Sequence, residues 1–154
     1  MSLTSFGPTA VNKQFSYDVF LGDKPIGTYM VDKTELNGTE NFYIETITGA
    51  GLIRPTEHKL IMSTAYDNSK LVASQIKTWI NGKQETDKTI HWDGSKYLLK
   101  NEERVKPIYE SVVTYSSACV FFEEPEGRTS LFYEQYGKDL AVKDLGNHRY
   151  EVVL

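Results

Sequence analysis

A nucleophile needs a base beside it, and the first place to look is Ser116, Ser117 and Cys119, which fall within four residues of one another. No Gly-x-Ser-x-Gly elbow surrounds the serines, so a triad would have to draw its base and its orienting acid from distant strands. Cys119 stands in the run Ala118-Cys119-Val120-Phe121-Phe122 and reads as a small buried hydrophobe. It is the only cysteine, so an internal disulfide is excluded, and no neighbour in sequence supplies the base a reactive thiolate requires. His58, His91 and His148 are spread over 90 residues, without the short local spacings that zinc ligands show. Glu123, Glu124 and Glu126 flank Pro125 and offer oxygens for a hard cation. A calcium loop wants ligands at alternating positions and a glycine at its bend, so these carboxylates read as a solvated loop. Asp87, His91 and Glu103 come closest to a set of titratable groups that a hydrolase or isomerase would converge on one point.

Glycine patterns point to turns. Gly49-Ala50-Gly51 begins like a dinucleotide loop, but Leu52-Ile53-Arg54 follows and no third glycine comes. Asn37-Gly38-Thr39 fits a glycosylation sequon and equally an ideal hairpin turn, which is the reading adopted here. No cofactor and no metal is expected from any of these patterns.

The elements that would position these groups are strands. Turn signals recur at Gly22-Asp23-Lys24-Pro25, Asn37-Gly38, Asp67-Asn68-Ser69-Lys70, Asn81-Gly82, Asp93-Gly94, Glu124-Pro125-Glu126-Gly127, Gly137-Lys138-Asp139 and Gly146-Asn147. Asn-Gly and Asp-Gly suit the type I′ turn, and loops this short force neighbouring strands antiparallel. Between turns the apolar residues alternate: Phe15, Tyr17, Val19 and Leu21; then Leu60, Met62 and Tyr66; then Val72, Ile76 and Ile80. Period two gives a sheet with one covered and one wet face. Tyr29-Met30-Val31 break the alternation and predict either a strand covered on both faces or a bulge. Val112, Tyr115, Cys119 and Phe122 are spaced like a helical stripe, which predicts one short helix near 111–119, capped by Ser111 and stopped at Pro125. Ten Tyr and seven Phe strengthen the strand reading.

The expected fold is therefore all-β. It is an antiparallel up-and-down meander of about nine to eleven strands forming one domain over residues 1–154, with 1–13 as a flexible or edge segment. The chain carries 17 basic and 21 acidic residues, a net charge of −4 with no dense cationic run, which argues against nucleic acid as a partner. The longest apolar run, 118–122, falls far short of the roughly 20 residues that span a bilayer, and residues 1–13 hold no apolar signal core.

Three stretches resemble a family of small bacterial exported β-rich domains of uncharacterised function: Tyr17-Asp18-Val19 through Ile26-Gly27, Phe122 to Gly127 with Phe132-Tyr133-Glu134-Gln135-Tyr136-Gly137, and the closing Tyr150-Glu151-Val152. The resemblance implies a strongly curved sheet, a half-barrel or open barrel, with a short helix before the Glu-Pro turn. It also implies a periplasmic or extracellular home, a signal peptide upstream that this sequence lacks, and a further hairpin beyond Tyr150; the cytoplasm is the alternative. It carries no catalytic residues.

Curved sheets of this size hold one apolar ligand in their hollow. Phe42, Ile44, Met62, Tyr66, Ile76 and Trp92, on the central strands, are the expected lining, and simple core packing is the competing role for the same side chains. A non-enzymatic domain that binds a small apolar ligand or a protein partner is the leading expectation. A module that pairs through an open sheet edge, as a homodimer or with another chain, comes second, and an interior hydrolase or isomerase third.

Overall fold

A computed structural model describes residues 10–50 and 56–153. Eight strands follow one another in a single antiparallel meander: β1 (Val11–Leu21), β2 (Lys24–Leu36), β3 (Thr39–Ala50), β4 (Thr56–Asp67), β5 (Lys70–Ile80), β6 (Lys83–Trp92), β7 (Tyr97–Asn101) and β8 (Arg104–Tyr109). Three more, β9 (Ser130–Tyr133), β10 (Lys138–Gly146) and β11 (Arg149–Val153), form a second sheet in the order β11-β10-β9. Among the described residues β1 and β8 are open edges of the large sheet, so no barrel closes.

The hairpins follow from their turn residues. Asn37-Gly38 and Asn81-Gly82 both take positive φ at both positions, as a type I′ turn demands, and Asn68-Ser69 and Asn147-His148 do the same without a central glycine. Asp93-Gly94 departs from that expectation. Only Gly94 has positive φ there, and Asp93 Oδ1 accepts from the backbone N–H groups of Ser95 and Lys96 at 2.8 and 2.9 Å, building a wider loop. The GAG stretch ends β3 at Gly49 and Ala50, while Gly51 lies outside the described residues, as do 1–9 of the expected edge segment.

Alternation decides the inner face, with one shift. Tyr29 and Val31 face inward and Met30 outward, so β2 is covered on one face only, and its bulge falls earlier, where Val19 and Phe20 pair with Gly27 and Pro25. In β5 the register slips between Ala65↔Ala73 and Tyr66↔Leu71, leaving Val72 unpaired; Leu71 is fully buried in its place.

Residues 110–129 are not the expected helix. One short 3₁₀ turn, Cys119–Phe121, is all that forms. Val112, Val113 and Thr114 disfavour helix, and this segment's backbone bonds outward instead: Leu71 N–H donates to Val113 O, Ser117 N–H to Phe132 O and Phe132 N–H to Tyr115 O. The apparent helical stripe is a strap whose Val113, Tyr115, Ala118 and Cys119 are pressed onto the sheet. With Leu131, Phe132 and Val142 of the small sheet, they bury the inner face of the large one. The covering layer reaches both edges: Tyr17 of β1 donates to Phe121 O of the strap at 2.7 Å, and Tyr109 of β8 packs on Phe132 of β9 at 5.3 Å.

Gly27 shows how tightly β2 and β3 approach. A Cβ there would run into the Ile47 carbonyl oxygen and the Thr48 backbone, whereas one on Gly49 meets nothing within 4 Å. We expect Gly27→Ala to cost about 1–3 kcal/mol in urea unfolding, with an unchanged m-value, and Gly49→Ala to stay within about 0.5 kcal/mol of the parent. Equal effects at the two sites would contradict the packing described.

Candidate functional site

Where the strap and the small sheet cross β2, β3 and β4, they do not fill the space completely. A cavity of about 260 Å³ remains. Its floor is Tyr29, Ile44, Leu60 and Met62 from the large sheet. Its roof is Ser117, Val120 and Phe121 of the strap, with Leu131, Tyr133 and Gln135 from β9 and its turn and Val152 from β11. The lining is almost wholly apolar. Tyr133 donates to Gln135 Oε1 at 3.0 Å, and burial raises the Tyr133 phenol to about 12. On the same sheet face Thr46 stands between Tyr29 and Leu60 in the ladder; among the described residues its hydroxyl is the one buried side-chain polar atom without a partner.

The roof is held by a buried carboxylate. Glu134, immediately after β9, is fully inaccessible to solvent. Its Oε1 accepts from the Ser116 hydroxyl and from Ala118 N–H at 3.3 Å, and its Oε2 from the Ser117 hydroxyl and from Ser117 N–H at 3.2 Å. Tyr66 extends the network by donating to Ser116 Oγ at 2.7 Å, and the Cys119 thiol lies 3.5 Å from the same phenol oxygen. Burial pushes the Glu134 carboxyl above its ordinary range against the pull of these donors, and pushes the Cys119 thiol up as well. Cys119 is thus buried, as expected. A second clasp joins the strap to the β10–β11 hairpin, where Glu124 accepts from Tyr150 at 3.0 Å and meets His148 Nδ1 at 2.9 Å.

The six residues expected to line a hollow divide three ways. Ile44 and Met62 do line the cavity. Phe42, Tyr66 and Ile76 are buried in the core, with Phe42 packed on Tyr66 and Phe122. Trp92 sits apart, against Tyr97 and beneath Lys70 Nζ at 4.0 Å. Period two identified the correct face, but nothing in the sequence shows which strands the strap crosses, so Val120, Phe121, Leu131, Tyr133 and Val152 went unnoticed. Asp87 and His91 lie four residues apart along β6, about 13 Å by strand geometry, and Glu103 is in the β7–β8 turn. Asp87 is engaged by Gln75 at 3.0 Å and Lys77 at 3.6 Å. Among the described residues no three His, Cys, Asp or Glu side chains are grouped as a cation site.

A family profile described as a domain of unknown function, DUF6134, matches residues 17–154. The chain belongs to the DUF6134 family. No curated protein and no solved structure matches it. In this DUF6134 domain both the inner cavity and the Glu134 pin fall inside the matched span.

Because the Glu134 carboxyl is raised from 4.5, protonation favours the folded state: the contribution is full below about 4.5 and is lost as pH rises through the folded value. Glu134→Gln keeps the shape but puts an amide NH2 group, which cannot accept, where a carboxyl oxygen meets two of the four donors. We expect it to cost about 1–3 kcal/mol near pH 4 by urea titration, and the gap to the parent to narrow at higher pH. A gap that widens with pH would reverse this assignment.

Proposed function

We propose that this DUF6134 domain is a non-enzymatic binding module that takes a small apolar group into the cavity between its two sheets. The observation that carries the reading is the cavity itself, an apolar-lined space between the large sheet and its cover. Its volume of about 260 Å³ exceeds the roughly 150 Å³ of an apolar cavity that admits benzene and falls just below the range of roughly 300–1,000 Å³ typical of ligand pockets. A single ring or a short acyl chain fits; a drug-sized molecule does not. The large sheet bends around the strap, a reading supported by the aromatic contacts from both of its edges to the covering layer.

The resemblance to exported domains supports a place in the cell envelope, which fractionation of cells expressing the native gene checks; recovery in the cytosol alone would refute it. A protein partner or second copy at an edge is the competing role, favoured by the exposed Phe20 and Leu21 of β1, and a monomer by light scattering at high concentration would exclude self-pairing.

One observation favours a hydrolase as the second reading. Ser117 lines the cavity and its hydroxyl donates to a buried carboxylate, the minimum of a nucleophile and its base. Labelling of the parent by a fluorophosphonate, lost in Ser117→Ala, would establish it, and an unlabelled parent would dismiss it.

For the binding reading, a neutral solvatochromic dye such as N-phenyl-1-naphthylamine is expected to brighten and blue-shift on the parent. Val120→Trp, which fills the cavity from the strap, is expected to weaken binding at least about ten-fold while the protein stays folded by circular dichroism. No dye response in the parent, together with only the bare chain mass in native mass spectrometry, would sink the reading.

A further inference from the structure

We propose that the ligand is an anionic amphiphile, its apolar part in the cavity just described and its charged head in a basic cavity alongside. The proposal rests on the apolar-binding reading and gives it a ligand class. A second space, of about 650 Å³, opens where β6, β7 and β8 face the β9–β10 turn. Four cations line it: Lys88, Arg104, Lys106 and Lys138, with Asn101 and Tyr136 among them. No carboxylate lines the space, and among the described residues none of the four cations forms an ion pair. Three acids adjoin these cations in sequence, and none lines the space: Asp87 is engaged by Gln75 and Lys77, Asp139 accepts from Tyr109, and Glu103 lies in the β7–β8 turn. In a chain of net charge −4, four unneutralised cations around one hollow are a local reversal of sign. Such a hollow attracts a negative group. Arg104 supplies a planar fork suited to carboxylate or phosphate oxygens, and the lysines add point charges.

The sheet register joins the two spaces. Reading directly across the strands, Ile44 pairs with Met62, Met62 with Ile76, Ile76 with Lys88, Lys88 with Asn101, and Asn101 with Arg104. Residues opposite one another in antiparallel strands share a face. One row of the inner face is therefore apolar at one end and cationic at the other. Ile44 and Met62 floor the apolar cavity, Lys88, Asn101 and Arg104 border the basic one, and only Ile76 stands between. Two strand spacings separate Met62 from Lys88, about 10 Å. Gln135 lines both spaces, so the two share a wall. A ligand with its acyl part in the apolar cavity would place its head among the cations past Gln135, the wall that the two spaces share.

Titration calorimetry on the full chain, below micelle-forming concentrations, tests this with four probes: dodecanoate, dodecyl phosphate, dodecanol and inorganic phosphate. Either anionic amphiphile is expected to bind at least about ten-fold more tightly than dodecanol, and the tighter of the two identifies the head as carboxylate or phosphate. Arg104→Gln with Lys106→Gln, both at exposed positions, is expected to abolish that preference while leaving dodecanol binding unchanged. Equal affinity for dodecanol and the anions overturns the head site and leaves the apolar cavity standing. Inorganic phosphate binding as tightly as dodecyl phosphate overturns the link between the two spaces. Failure of all three chain-bearing probes removes the apolar reading and this proposal together.

Discussion

The carboxylate of Glu134, sealed from water and met by two hydroxyls and two backbone amides, is the joint on which the two halves of this domain depend. A meander of eight strands makes one long apolar face and supplies nothing to cover it. The cover comes from the remaining third of the chain, and its irregular strap must satisfy its backbone polar groups without a helix to do so. It does this by bonding to strand ends at Leu71 and Phe132 and to Glu134. Desolvating a carboxyl is costly, and the four donors offset much of that cost while fixing where Ser116, Ser117 and Ala118 lie. Once those residues are fixed, Val120 and Phe121 arch over β2 to β4, and the inner cavity is what their arch leaves open.

Much of this was legible from the residues. Asn-Gly turns and period-two alternation gave the all-β meander and the inward face of β4 and of β5 around Ile76, because short-range stereochemistry governs both. The strap was misread for a physical reason. Spacings of three and four in Val112, Tyr115, Cys119 and Phe122 arise equally from an irregular segment that touches a sheet at intervals, and periodicity alone does not separate the two. The β-branched run at Val112, Val113 and Thr114 was the signal against helix. Leu71 displaced Val72 from the core through a one-residue bulge, which the alternation of polar and apolar types does not encode.

Sites built from distant segments were the least visible. Glu134 sits in Tyr133-Glu134-Gln135, where a surface turn is the natural reading, and only the fold brings it to Ser116 and Ser117. Lys88, Arg104, Lys106 and Lys138 look scattered along the chain, yet three antiparallel strands and one turn gather them around a single hollow. Their neighbourhood to the apolar cavity follows from strand register, a property of pairing rather than of composition. Amphipathic character is thereby carried along one row of a sheet, from Ile44 to Arg104.

Amide hydrogen exchange at Ser117 and Ala118 tests most directly whether the strap belongs to the core. If Glu134 pins it as described, these two amides exchange only by global unfolding, with protection matching that of β3 to β5. Rapid exchange at Ser117 and Ala118 while the central strands remain protected would show a loose strap, and with it neither a fixed joint nor a formed cavity.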